Sequence, residues 1–333
     1  MNGIDTQRDS QRAGGARTGA PAAAPVHEPR AGMGGRRATR LGRRIRLRFR
    51  GTIAGEMLKL WSLGSTRWIA GVALALTVGI AALSAWSILF IAGIDQHTGQ
   101  TLEQPQPVAL ANIWTTFGSS ASTVALALAI LGVMAITSEY SNAAIQSSLV
   151  ANPRRDLLYL AKSIAVTVFS LVIGLVAVLL GWGIIALMTL GHDVTPLTGD
   201  QTRVLPVMLL GFPVVMALAA LLALGLGGMT RSTVGGVSAA VVLLMVLPSV
   251  VSIVSIAASQ VEWLGTVAHC LPDAAMNSFL SAGVDSLSSA ALAAVGGPGY
   301  WTPEWWQSGL ILLAWTTASW IGGLAVTKRS DIR

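Results

Sequence analysis

Long stretches of this chain carry no charge at all. Of its 333 residues only 11% are Asp, Glu, Lys or Arg and 53% are apolar, a balance that excludes an ordinary water-soluble domain. Six runs contain none of those four residue types: Trp68–Ile94, Val108–Ser138, Ser163–Gly191, Val204–Thr230, Ser232–Val261 and Trp305–Thr327. Each meets the length of roughly 20 apolar residues that a helix needs to cross a bilayer. The sequence therefore predicts an all-α polytopic membrane protein with six transmembrane helices. Cysteine is nearly absent too. The single Cys270 excludes an internal disulfide. Beside His269 it supplies at most half of a tetrahedral metal site, so an ordinary loop pair is expected there.

Other absences bear on chemistry. Proteins that harvest an ion gradient usually bury ionisable groups at mid-membrane, and here no span holds an acid, lysine or arginine. Pro213 and Pro248 could still unwind a helix and expose carbonyls, while Pro206 lies near the start of its span. "GLGGMTRST" is glycine-rich but lacks the lysine and preceding strand of a phosphate-binding loop, so its glycines predict close helix packing instead. Ser141 and Ser163 fall on one side of the membrane and His97, His192 and His269 on the other, which leaves no nucleophile–base pair. The chain carries no internal repeat.

What charge there is falls unevenly. Of 22 Lys and Arg, 14 precede Trp68. Placing the N-terminus inside puts 21 basic residues on the inner side, among them Arg154, Arg155, Lys162, Arg231, Lys328, Arg329 and Arg333. Only Arg203 is then outside, with the acids Asp95, Glu103, Asp193, Asp200, Glu262, Asp273, Asp285 and Glu304. The expected topology is therefore N-in and C-in, in the cell membrane. Residues 1–50 form an Arg-rich tail too poor in large apolar side chains to fold, and 51–333 form the membrane domain. The run "RRATRLGRRIRLRFR" has eight arginines in fifteen residues. It reads as a juxtamembrane patch on anionic lipid rather than a nucleic-acid site or an export signal.

Two stretches are amphipathic outside the spans. In "TIAGEMLKLWSLGSTRW" the apolar Ile53, Met57, Leu60 and Trp61 recur at helical spacing, with Glu56 and Lys59 off that stripe. This predicts an interfacial elbow helix ended by Gly64. Between spans two and three, "ITSEYSNAAIQSSLVANPRRDLLYLAKS" is far longer than a turn requires. Ala144, Ile145, Leu149 and Val150 gather near one side of a short helix, Asn142 and Gln146 lie elsewhere, and Pro153 stops it. Glu139 is either an interfacial carboxylate paired with Arg154 or Lys162, or part of whatever that helix transmits. In the 262–304 connection, "LPDAAMNSFLSAGV" predicts short helices on the outer face.

These segments resemble the permease subunit of ATP-binding-cassette exporters of the ABC-2 type, especially the actinobacterial kind. The resemblance rests on "EMLKLWSLGSTRW", on "GVMAITSEYSNAAIQSSLVANPRRDLLYLAK" and on the basic "KRSDIR" end, and it covers Thr52 to Arg333. It implies that Ser141–Ala151 is the coupling helix docked on a cytosolic ATPase. Glu139, Tyr140, Ser141, Asn142, Ala144, Ile145, Gln146 and Leu149 would then carry the contact. It further implies a second permease copy or relative, two ATPase subunits that hydrolyse ATP in place of this chain, and no cofactor or nucleic acid. A hydrophobic or amphiphilic cargo would leave the cell along parts of spans two and five. The competing reading is a membrane enzyme or scaffold that acts at the outer face through the 262–304 loop.

Overall fold

Hydrocarbon offers backbone N–H and C=O groups no partner, and a helix satisfies them within one segment. The computed structural model describes residues 49–95, 97–141, 155–257, 261–284 and 301–329, and six of its helices are long and apolar enough to cross a membrane. The short helix α1 (Phe49–Ser62) precedes them and takes in two residues that the sequence reading gave to the tail. Span one is α2 (Gly64–Ala92), and span two is divided into α3 (Leu110–Ser119) and α4 (Ala121–Ser141). Span three is α5 (Arg155–Thr189). Span four is α6 (Val204–Thr230), entered through a 3₁₀ turn over Gly199–Arg203. Span five joins α7 (Thr233–Val241), a π-helical turn (Val242–Val246) and α8 (Leu247–Ala257). The short α9 (Glu262–His269) and α10 (Pro272–Leu280) lie before span six, α11 (Trp305–Arg329). Among the described residues, β1 (Val108–Ala109) and β2 (Val194–Thr195) pair in parallel with Val108 opposite Val194, and Ile94 and Thr101 form an isolated antiparallel bridge.

The core lies between spans two and four, each 67% buried over its most apolar window, whereas span five is only 11% buried. Small residues set the crossings, because lipid tails are as apolar as leucine and close backbone approach must drive packing instead. Gly132 lies against the Ala220 carbonyl, and Gly225 against the backbone of Ser319. A Cβ on Gly228 would come 3.2 Å from Gly323 Cα. The buried face of α2 is similarly small, with Ala70, Ala73, Thr77, Ala81, Ser84 and Ala85 at three- and four-residue spacing.

The breaks differ from the expected ones. Pro213 stays inside a continuous α6, where a Cβ on Gly174 of α5 would meet its Cα at 2.8 Å. It marks a close crossing, not an unwound turn. Pro248 cannot donate to the carbonyl four residues back, and the wide π turn sits just before it and turns Leu244 into the core. Span two breaks without proline. Ser120 takes φ −99° and ψ 6°, and its N–H folds back to Phe117 O at 3.2 Å. At the elbow the helix ends at Ser62 and the extended Leu63, one residue before the expected Gly64.

Candidate functional site

The feet of several helices converge beside α1. Lys162 begins the apolar part of α5, and its Nζ lies 2.6 Å from Glu56 Oε2 of α1. The two side chains are 4% and 12% exposed, so the pair is desolvated. This corrects the sequence reading of α1, which placed Glu56 and Lys59 away from the packed stripe. Glu56 faces α5, and Lys59 lines the same crevice. Leu60 is buried, and Ile53 and Met57 are half-buried. Trp61 is 66% exposed, although its ring and that of Phe169 stand edge to face with centroids 6.3 Å apart. The physical reason is that a charge stranded at the foot of a span is stabilised only by an opposite charge, and α1 is the element that brings one.

The crevice beside the pair holds about 30 Å³ and is bounded by Glu56, Lys59, Thr66, Leu131, Ser138 and Lys162. That is room for a water molecule among polar groups. Ser138 sits in the last turn and a half of α4, whose backbone stays helical through Glu139, Tyr140 and Ser141. Asn142, Ala144, Ile145, Gln146 and Leu149 lie outside the described residues. So α4 leads into segment 142–154 from this crevice, and α5 returns from it to the same place.

Hydrogen bonds extend the corner across the bundle. Tyr159 OH donates to Trp320 O at 3.2 Å, and Trp320 Nε1 donates to Ser163 Oγ at 2.8 Å, joining α5 to α11. Thr233 Oγ1 donates to Thr137 Oγ1 at 2.8 Å, joining span five to α4. Arg231, in the left-handed conformation at φ 52°, donates from Nη2 to Val326 O at 3.3 Å. None of these links was visible beforehand, since each joins residues 95 to 161 positions apart.

A second polar group lies at the opposite end. Asp273, in the first turn of α10, accepts from Asn277 Nδ2 at 3.4 Å. Burial pushes its carboxyl above the usual range, and the Ser122 hydroxyl and Asn277 amide pull it partly back. Among the described residues no cation lies within ion-pair distance of Asp273. Ser122 stands two residues past the break in span two, so this acid rests on the broken helix. His269 on α9 lies with Nδ1 2.9 Å from Gly265 O. Among the described residues no three His, Cys, Asp or Glu side chains group together as metal ligands.

No protein-family model matches this chain, and no curated protein is significantly similar to it.

Proposed function

We propose that the chain is the membrane-spanning permease subunit of an ATP-driven exporter of the ABC-2 type. The observation that supports this best is the meeting of α1, the end of α4 and the start of α5 around the Glu56–Lys162 pair. Segment 142–154 follows α4 three residues past Ser138 and leads into α5 about two turns before Lys162, so a cytosolic ATPase pressing on it would move the feet of spans two and three together. The basic groups of this end, Arg67, Lys162, Arg231, Lys328 and Arg329, support reading it as the cytoplasmic one. On this reading α1 is the elbow helix, and Glu139 to Leu149 contact the ATPase. Span five, with Val242, Val250 and Ile253 exposed, offers a face to a second permease. A hydrophobic or amphiphilic cargo would pass between the two.

The test is a photo-crosslinking residue at Ile145 in the full-length protein in its native membrane. Crosslinks to a protein bearing a phosphate-binding P-loop, with ATP hydrolysis lost in Ile145→Glu, are expected. Crosslinks only to lipid, with hydrolysis unchanged in that variant, would overturn the proposal.

A further inference from the structure

A cleft of about 370 Å³ opens on the side of the bundle near its acidic end, between α3, α5 and α6. Trp114, Val178 and Met208 form its floor and are at most 2% exposed, while Leu179, Trp182 and Leu209 stand along its mouth at 42–55%. Those mouth residues face hydrocarbon, so whatever fills the cleft enters from the bilayer. Three features define the occupant. The lining is apolar along its length, which suits a flexible chain. The Trp114 ring is buried, and its indole N–H makes no hydrogen bond among the described residues yet is not itself fully buried, so it remains accessible to donate to an occupant. Finally, Arg203 stands at the start of α6, five residues before Met208 and so roughly 8 Å above the floor by helical rise. It is the only basic residue the sequence places at this end. Its sole ion-pair partner among the described residues is Asp200 at 2.9 Å, and both side chains are mostly exposed at 60% and 83%. Such a pair is readily exchanged for another anion.

We propose that this cleft binds one phospholipid of the leaflet at this end. An acyl chain lies on Trp114 and Met208, an ester carbonyl accepts the Trp114 N–H, and the phosphate meets Arg203. The leaflet is the outer one under the orientation proposed above, but the site itself does not depend on that orientation.

The full-length protein in detergent is titrated with phosphatidylglycerol and read by native mass spectrometry, with a diazirine-bearing phosphatidylglycerol to map the contact. One lipid per chain should be retained, and label should fall on the peptides holding Leu179–Trp182 and Met208–Leu209. Leu209→Trp, at a mouth position with room for the larger ring, should abolish retention. Arg203→Gln should weaken it about fivefold, the loss of one surface phosphate contact. A diether phosphatidylglycerol, which lacks the ester carbonyls, should bind about fivefold more weakly for want of one hydrogen bond. Label spread evenly over all spans, or a Leu209→Trp variant that keeps its lipid, would overturn the site. So would crosslinks at the cleft to a second copy of the chain.

Discussion

Removing one partner of the Glu56–Lys162 pair should release α1 from α5. The side chains are 12% and 4% exposed and 2.6 Å apart, so neither charge can turn to water without moving its helix. Deleting one partner of such a pair costs about 3–5 kcal/mol, because the other charge stays buried, whereas replacing both by apolar groups is close to neutral. The two single variants should differ. Glu56→Gln keeps an acceptor in place, and Lys162 makes a further interaction, so this loss should be nearer 1–2 kcal/mol, about that of a charge-assisted hydrogen bond. Lys162→Met strands the carboxylate and should cost about 3 kcal/mol or more. Glu56→Leu with Lys162→Met should return close to the parent.

Labelling reads this directly. Cys270 is the only cysteine, so a Cys270→Ser background with Leu60→Cys places one thiol on the buried face of α1, at a position 8% exposed. Its maleimide labelling rate reports how often α1 lifts away. In Lys162→Met the rate should rise roughly a hundredfold, given about 1.4 kcal/mol per factor of ten. The rise should be largely insensitive to salt, because a buried pair is little screened. Single variants that change the rate by less than about threefold, or a double variant as fast as the two effects combined, would refute the argument.

The remaining predictions address other parts of the fold. On the exporter reading, Ile145→Glu should leave insertion intact but uncouple ATP hydrolysis from transport, since an unpaired carboxylate in the proposed ATPase contact would cost several kcal/mol, on the order of ordinary coupling energies; Gln146→Ala should do little, and vesicle transport with ATPase assays checks both. Gly225→Val should destabilise by several kcal/mol in thermal unfolding, because its side chain would overlap the Ser319 backbone and no rotamer relieves that. Burial raises the Asp273 carboxyl, so the protonated acid favours the docked α10; stability should be fullest at low pH and fall as pH rises from about 4 toward neutral, while Asp273→Asn should flatten that slope in a pH series of melting curves. Reporters fused near Gly99 and Asp200 should appear outside, and those at Ser148 and Arg333 inside.

The spans were legible because they depend on one local quantity, apolar length, and five of the six uncharged runs lie within a few residues of the observed helices. Of the short helices, α10 was legible from the helix-forming residues of "LPDAAMNSFLSAGV", whereas α9 falls before that stretch and was not read. The internal breaks were not. Pro213 looks like a breaker, yet it sits in a continuous helix where Gly174 allows α5 to approach. Ser120 looks unremarkable, yet it interrupts span two, and the turn is closed by its backbone N–H to Phe117 O, a bond any residue but proline could make, so the sequence does not announce it. The corner at Glu56 failed for a further reason. Helical periodicity reports which residues are apolar, and it took the polar face of α1 for the exposed one. The partner that reverses this assignment stands 106 residues away.

The packing decides how a push on segment 142–154 would spread, under the exporter reading. Below Ser120, α4 packs closely on α6, where Gly132 meets the Ala220 backbone and a Cβ on Gly227 would come 3.2 Å from Val133 Cα. On that reading the two helices would move together, and α6 engages α11 in the same way through Gly225 and Ser319. The foot of span five is drawn along through Thr233 on Thr137, and its Gly236 packs against Val133. Above that point span five has little to hold it, being 11% buried and loosened by its π turn. At the far end the break at Ser120 separates α3 from α4, so α3 need not follow. Displacement entering at the foot would therefore be taken up at two places, the π turn of span five and the Ser120 break. Asp273 rests on the second of these through Ser122, which places a half-buried carboxylate without an ion-pair partner among the described residues where the two halves of span two part.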